Sequence, residues 1–259
     1  MDYFLFDPSG NITALLPVSA PDECRIEFAD AVMQREPAAE QAGFVLPGSD
    51  TCDIELRMAG GEFCGNASLC TAALYALQND LQAGRQLQVR LRASGCANIL
   101  SVLINANPDN TFTGCIEMPQ IREIRQYDTG CPELPQAAIA ATDGITHAVI
   151  PDVLGPEWAE SHIKAWCADL HAEAMGMMLV NADASEITPI VYVPASNTLF
   201  REHSCASGSA AVGVWLARQN GRKTICDFKE PGGTLRVTAS PDGIVTLENN
   251  IYLQAHSYI

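Results

Sequence analysis

Two cysteines in this chain stand where they could carry protons. Cys64 lies in Gly60-Gly61-Glu62-Phe63-Cys64-Gly65-Asn66-Ala67, directly ahead of the small and apolar run from Ser68 to Leu77. The Gly pair ends whatever precedes it. Asn66 and Ser68 read as capping residues, and the Ala/Leu-rich sequence after them has helical spacing, so Cys64 is expected at a helix start. Cys205 repeats the setting in Arg201-Glu202-His203-Ser204-Cys205-Ala206-Ser207-Gly208-Ser209, ahead of the run from Ala210 to Ala217. Free N–H groups and the positive end of the helix dipole favour thiolate over thiol, which predicts a lowered pKa for a cysteine in such a place. The same N–H groups can hold a carboxylate. A single start of this kind is ordinarily a buried, inert thiol; two in corresponding places of two halves call for a joint explanation.

One reaction suits two such thiols. A substrate lying across a cleft can have its carboxylate held by the backbone around Gly65-Asn66 and Ala206-Ser207-Gly208. One cysteine, as thiolate, removes the Cα proton; the other, as thiol, delivers a proton to the opposite face. Inversion needs a base and an acid on opposite sides, and identical side chains let the roles swap. Charge that develops on the carboxylate meets preorganised donors. No cofactor is required. No Cys-x-x-Cys pair suggests a metal site, and none of the three lysines, Lys164, Lys223 and Lys229, lies in a Schiff-base motif.

The elements that must position these cysteines recur in both halves. Strands are expected over 3–6 and 12–18, a helix over 23–35 after the cap Asp22, strands over 43–46 and 53–58, then the Cys64 turn and its helix to about Gln78. Strands over 86–93, 98–104 and 111–118 close the first half. From Pro119 to about Asp143 the chain has Gly130, Pro132 and Pro135 and little periodicity, and reads as a passage between domains. Beyond it come a strand from Thr146, a helix over 157–174, strands over 176–180 and 189–193, the Cys205 turn with its helix, and four strands over 224–229, 234–239, 244–248 and 252–256. The repeat predicts an α+β fold of two similar, pseudo-symmetric domains, residues 1–119 and 120–259. Each is a curved sheet, a half-barrel around a central helix, with the cleft between them; the final strand is free to return to the first domain.

Composition narrows the class. With 259 residues, 47% apolar and 18% charged, the chain can bury a large core. A net charge of −16 argues against nucleic acid. The start Met1-Asp2-Tyr3-Phe4-Leu5-Phe6-Asp7-Pro8 is too acidic and too briefly apolar for a signal peptide, and no window is long enough for a membrane span. A cytoplasmic location is expected. The ten cysteines then read as thiols rather than disulfides.

The two cysteine motifs resemble those of the diaminopimelate epimerase-like superfamily. Pro8-Ser9-Gly10-Asn11 is similar to its substrate-contacting Asn segment and Thr146-His147-Ala148-Val149 to its second-domain His motif; the resemblance runs from residue 6 to about residue 237. A closer resemblance is to the histidine racemases of staphylopine-type metallophore pathways, through Ser94-Gly95-Cys96, Met118-Pro119-Gln120, Gly176-Met177-Met178-Leu179, Glu202 to Cys205 and Pro231-Gly232-Gly233. The chain lacks the superfamily's Glu-Arg-Gly loop ahead of the second cysteine, and Ala206 stands where Gly is usual. This implies a cofactor-independent racemase acting on L-histidine to give D-histidine for an opine-type metallophore. Met177, Met178 and Phe200 are candidate walls for the imidazole.

The candidate site therefore comprises Cys64 and Cys205 as the bases, with Asn11, Gly65, Asn66, Ala206 and Ser207 around the substrate. Gln41 reads equally as a surface residue or a contact. Glu202 is either an ion-pair partner of Arg201 or a group for the substrate amine or imidazole, and His147 and His203 are open between structural and supporting roles. Two alternatives stand beside this reading: a racemase or epimerase of another amino acid on the same fold, and a thiol-based metal- or redox-sensing protein. The expected partner is a small amino acid, and the oligomeric state, a homodimer among the options, is left open.

Overall fold

The computed structural model describes residues 2–18, 21–142, 144–181, 183 and 185–258. Its contacts divide the chain into two units, Met1–Glu117 with Glu248–Ile259, and Met118–Leu247.

In the first unit the chain runs through β1 (Asp2–Asp7), β2 (Thr13–Leu16), α1 (Asp22–Arg35), β3 (Gln41–Ser49), β4 (Cys52–Met58), α2 (Gly65–Gln78), β5 (Gln86–Ala93), β6 (Leu100–Ala106) and β7 (Phe112–Glu117). α1 starts one residue earlier than expected, with Pro21 before it; the Asp22 side chain lies outside the described residues. Two connections are parallel crossovers, β2–α1–β3 and β4–α2–β5. Such connections need a helix to carry the chain back across the sheet. α1 covers β3 from outside, where Ala29 and Val32 meet Tyr3, Leu5, Leu16 and Phe44. α2 packs instead against β2, β4, β5, β6 and β7, and 11 of its 14 residues are buried. A helix apolar on every side belongs in an interior. Its Gly, Ala, Ser, Cys and Thr residues keep it thin enough to be surrounded.

The second unit repeats the plan with β8 (Ile124–Cys131), β9 (Leu134–Thr142), β10 (Ile145–Pro151), α3 (Gly155–Asp169), β11 (Met175–Asn181), β12 (Glu186–Val193), β13 (Thr198–Arg201), α4 (Ala206–Asn220), β14 (Thr224–Glu230) and β15 (Gly233–Ala239). Parallel pairs again flank the helices, β10 with β11 around α3 and β12 with β14 around α4. α3 packs Ile163 and Trp166 onto Ala148, Ile150, Met177 and Leu179, whereas α4 packs against β10, β11, β14 and β15. The final strand, β16 (Val245–Tyr258), starts in this unit, and from Glu248 onward it belongs to the first. There it lies beside β7 and pairs back onto β1, so the first unit's strands close into a ring. The α+β expectation, a curved sheet around a helix in each half, holds.

Three local expectations change. The stretch read as a passage is an antiparallel hairpin, β8 with β9, and Pro135 falls where the pairing slips between Asp128 and Cys131. A proline lacks the N–H for a regular ladder and is tolerated at such an irregularity; Asp143 lies outside the described residues. The two last expected strands are one, because Asn249-Asn250 continues the ladder instead of turning. Cys64, not Asn66 or Ser68, is the N-cap of α2.

Candidate active site

The Cys64 turn is held from beneath by the end of β5. Ser94 Oγ donates to the Glu62 carbonyl and accepts from the Met58 N–H, both at 2.9 Å. Gly95, at φ +64°, lies so close that a Cβ there would sit 2.3 Å from the Phe63 nitrogen. Only glycine combines that backbone angle with that approach. Cys64 then caps α2 with its own sulfur, which accepts from Ala67 N–H at 3.4 Å, while Ser68 Oγ donates to the Cys64 carbonyl at 2.7 Å.

Around this half-buried thiol the structure gathers Gln41, Asn11 and Asn66. The Cys64 thiol donates to Gln41 Oε1 at 3.0 Å. Gln41 is oriented to receive it because its Nε2 donates to Asn11 Oδ1 at 2.5 Å and Thr13 Oγ1 at 2.8 Å. Asn11 Oδ1 also accepts from Asn66 Nδ2 at 3.2 Å, and Asn11 Nδ2 donates to Glu40 Oε2 at 2.6 Å. Asn249 Nδ2, from β16, donates to Asn66 Oδ1 at 3.4 Å, and Ser9 Oγ donates to Asn249 Oδ1 at 2.5 Å. Asn11, Asn66 and Asn249 are buried, and a connected network keeps buried amides satisfied and fixed. Glu40, Thr13, Asn249 and Ser9 are the members that sequence reasoning does not single out.

The Cys205 turn gathers Glu202, Ala206 and Ser207. Cys205 is the N-cap of α4, and Ala206 is its first residue without a positive φ, so the methyl in place of a usual glycine is accommodated. Ser207 Oγ lies 3.7 Å from the Cys205 sulfur. The end of β14 supports the turn: the Gly232 N–H donates to the His203 carbonyl at 2.8 Å, and Glu230 Oε2 accepts the Cys205 N–H at 2.6 Å. Ser209 Oγ donates to Glu230 Oε1.

The expected lowering of the thiol pKa does not hold at Cys205. Burial pushes it well above the ordinary value, the carboxylates of Glu202 and Glu230 push it further, and the Gly208 N–H and Ser207 only partly oppose them. The dipole acts on a group that water no longer reaches, and desolvation of the anion is the larger effect. Glu230, also buried, is pushed up to about 7 by its own desolvation.

Other expectations divide. Arg201 pairs with Glu157 and Glu160 of α3 rather than with Glu202; Glu202 is half-buried and its charge acts on Cys205. Met178 packs under the first turn of α4, where a Cβ on Gly208 would lie 2.1 Å from its sulfur. Met177 points to the opposite face of β11, into the α3 core, so the two methionines do not wall one pocket. Phe200 is half-buried in β13, paired with Val191. His147 is fully buried on β10 beside Gly176, neither ring nitrogen has a hydrogen-bond partner, and burial pushes its pKa down to about 3; it is a neutral imidazole. The His203 side chain is exposed.

A family model described as the histidine racemase CntK N-terminal domain matches residues 1–255. The chain belongs to that family. It is thus an isomerase of the racemase type. It is 29% identical over 225 residues to a histidine racemase of Fusobacterium nucleatum subsp. nucleatum, covering 84% of this chain and 81% of that protein. With a histidine racemase of Staphylococcus aureus it shares 27% over 250 residues, 92% of this chain and 88% of the other. Among solved structures, a predicted epimerase of Pseudomonas aeruginosa superposes with a TM-score of 0.72 at 15% identity, covering 100% of this chain and 98% of that one. A PhzF-family phenazine biosynthesis protein of Bacillus anthracis gives 0.64 at 13%, with 100% and 98% covered. At these identities the structural likeness shows the racemase's fold. Among its described residues no helix is long and apolar enough to cross a membrane.

Proposed function

We propose that this chain interconverts L- and D-histidine by two-base proton transfer at Cα, with Cys64 and Cys205 addressing opposite faces and no cofactor. The observation that carries the reading is the repeated device: in a chain of a histidine racemase family, each cysteine caps a buried small-residue helix. One sulfur, as thiolate, takes the Cα proton. The electron pair left behind spreads into the carboxylate, and the other sulfur, as thiol, returns a proton from the far side. Backbone N–H groups of Gly65, Asn66, Ala206 and Ser207 lie in first helical turns, where the helix itself offers no acceptor; they take the carboxylate and its growing charge. Glu202 is assigned to the substrate's amine or imidazole, and Asn11 with Gln41 to orienting Cys64 and the substrate. The enzyme is placed in the cytoplasm, supplying D-histidine to an opine-type metallophore.

Incubating the reduced protein with single L-amino acids in D₂O and following Cα–H by NMR tests this. Histidine is expected to exchange and invert with kcat/KM at least about tenfold above alanine, proline or diaminopimelate, a ratio that needs only about 1.4 kcal/mol of differential transition-state binding. If proline or diaminopimelate proves best, the histidine assignment fails while the cysteine mechanism stands. If no amino acid exchanges, the thiol-sensing alternative takes its place.

A further inference from the structure

The mechanism above leaves one buried acid without a task. Glu230 is the last residue of β14, only 8% exposed, and its two oxygens are committed to the start of α4. Oε2 accepts the backbone N–H of Cys205 at 2.6 Å, Oε1 accepts the Ser209 hydroxyl, and Ser204 adds a further hydrogen bond. In an ordinary capping box the acid that reaches back to the N-cap N–H stands at the third helical position. Here that position is Gly208, which has no side chain because Met178 fills the space a Cβ would take. A strand from elsewhere in the fold supplies the missing acid, and so brings a carboxyl group against the backbone of a cysteine.

We propose that Glu230 is a positioning residue that fixes the Cys205 turn and holds Cys205 as the proton-carrying thiol of the pair. The inference rests on the two-cysteine reading above. The physical reason is that two anions in one buried place repel: while Glu230 bears charge, a thiolate on Cys205 is disfavoured. The acidic groups acting on Cys205 are Glu202, from the loop after β13, and Glu230, from β14; His147, on β10 against which α4 packs, is neutral. Cys205 therefore rests as thiol and donor, which leaves the half-buried Cys64 to act first as base.

Peptide-resolved alkylation of Cys205 by iodoacetamide as a function of pH reads this without turnover. In Glu230→Gln, confirmed folded by circular dichroism, alkylation of Cys205 at pH 8 should be at least about tenfold faster than in the parent, a shift of about one pH unit in its profile, with Cys226 unchanged. The basic limb of kcat/KM should move to lower pH by a similar amount. Should the glutamine variant not fold, Glu230→Met refills the volume without charge. An unchanged Cys205 profile in a folded variant overturns the proposal, and so does failure of both variants to fold, which would assign Glu230 to the fold alone. Full activity in Cys205→Ser would instead overturn the two-base reading beneath it.

Discussion

The first and second cysteine turns share a plan. In each, a helix capped by the cysteine is followed by a strand whose end returns to support the turn: β5 with Ser94 and Gly95 under Cys64, β14 with Glu230 and Gly232 under Cys205. The support under Cys64 is a neutral hydroxyl, and the sulfur faces a neutral amide, Gln41. The support under Cys205 is a carboxyl group, with Glu202 also acting on the thiol, and the sulfur is buried. Two turns built from one repeat are thus supported by different side-chain chemistry. Backbone geometry repeats because the helix start demands it; the charge beside each sulfur is set by side chains that the helix start leaves free.

Replacing the sulfurs is the harshest way to break this comparison. Cys64→Ser and Cys205→Ser should each lower racemisation by at least about a thousandfold, since an alcohol is a far weaker base than a thiolate. If either retains full activity in the D₂O assay, that turn is not a partner in catalysis and the parallel between the two ends.

The carboxyl on one side should also leave a mark on stability. Glu230 is pushed up to about 7 from an ordinary 4.5, so the native state holds its proton more tightly than the unfolded chain. Its contribution is complete below about pH 4 and is lost as pH rises through 7, on the order of 3 kcal/mol in all. His147 runs the other way: with a folded pKa of about 3 against 6.5, its contribution is complete above pH 6.5 and is lost as pH falls. Between about pH 4.5 and 6.5 the two offset each other. In urea unfolding, the stability of Glu230→Gln relative to the parent should climb steadily from pH 4.5 to 7.5. A flat difference would show that Glu230 is not held protonated by burial.

The neutral side predicts the smallest effect. Gln41→Ala removes the acceptor that faces Cys64 and a donor to Asn11. It should lower kcat/KM about tenfold, the worth of roughly one satisfied hydrogen bond in a buried network, and move the pH profile less than Glu230→Gln does, since a lost neutral acceptor acts on the thiol more weakly than a lost charge. A profile that shifts as far as that of Glu230→Gln would erase the distinction between the two turns.

Much of the site is legible in the residue order because it is local. A cysteine followed by small, helix-forming residues after a Gly-rich turn caps a helix whatever surrounds it, and Asn11 and Asn66 lie in sequence motifs, whereas Gln41, which the sequence left open, meets Cys64 only through the pairing of β2 with β3. The β8–β9 hairpin is obscured because Pro132, Gly130 and Pro135 mimic a linker, while only the paired strand shows that the irregularity is confined to a bulge. Asn249-Asn250 reads as a turn for the same reason: a neighbouring strand supplies the ladder that local preference disfavours.

Residue order alone sets the repeated strand-and-helix plan, the two helix starts with their cysteines and, through its motifs, the family. Those features follow from spacing and from short-range backbone chemistry. Tertiary structure alone decided the fields those cysteines feel. Glu230 belongs to none of the motifs read from the sequence, yet it is buried against Cys205 across 25 residues of chain, and Met177 and Met178, adjacent in sequence, face opposite sides of β11. A thiol's proton affinity depends on which charges are near and whether water is excluded, and both are properties of packing between elements distant in sequence.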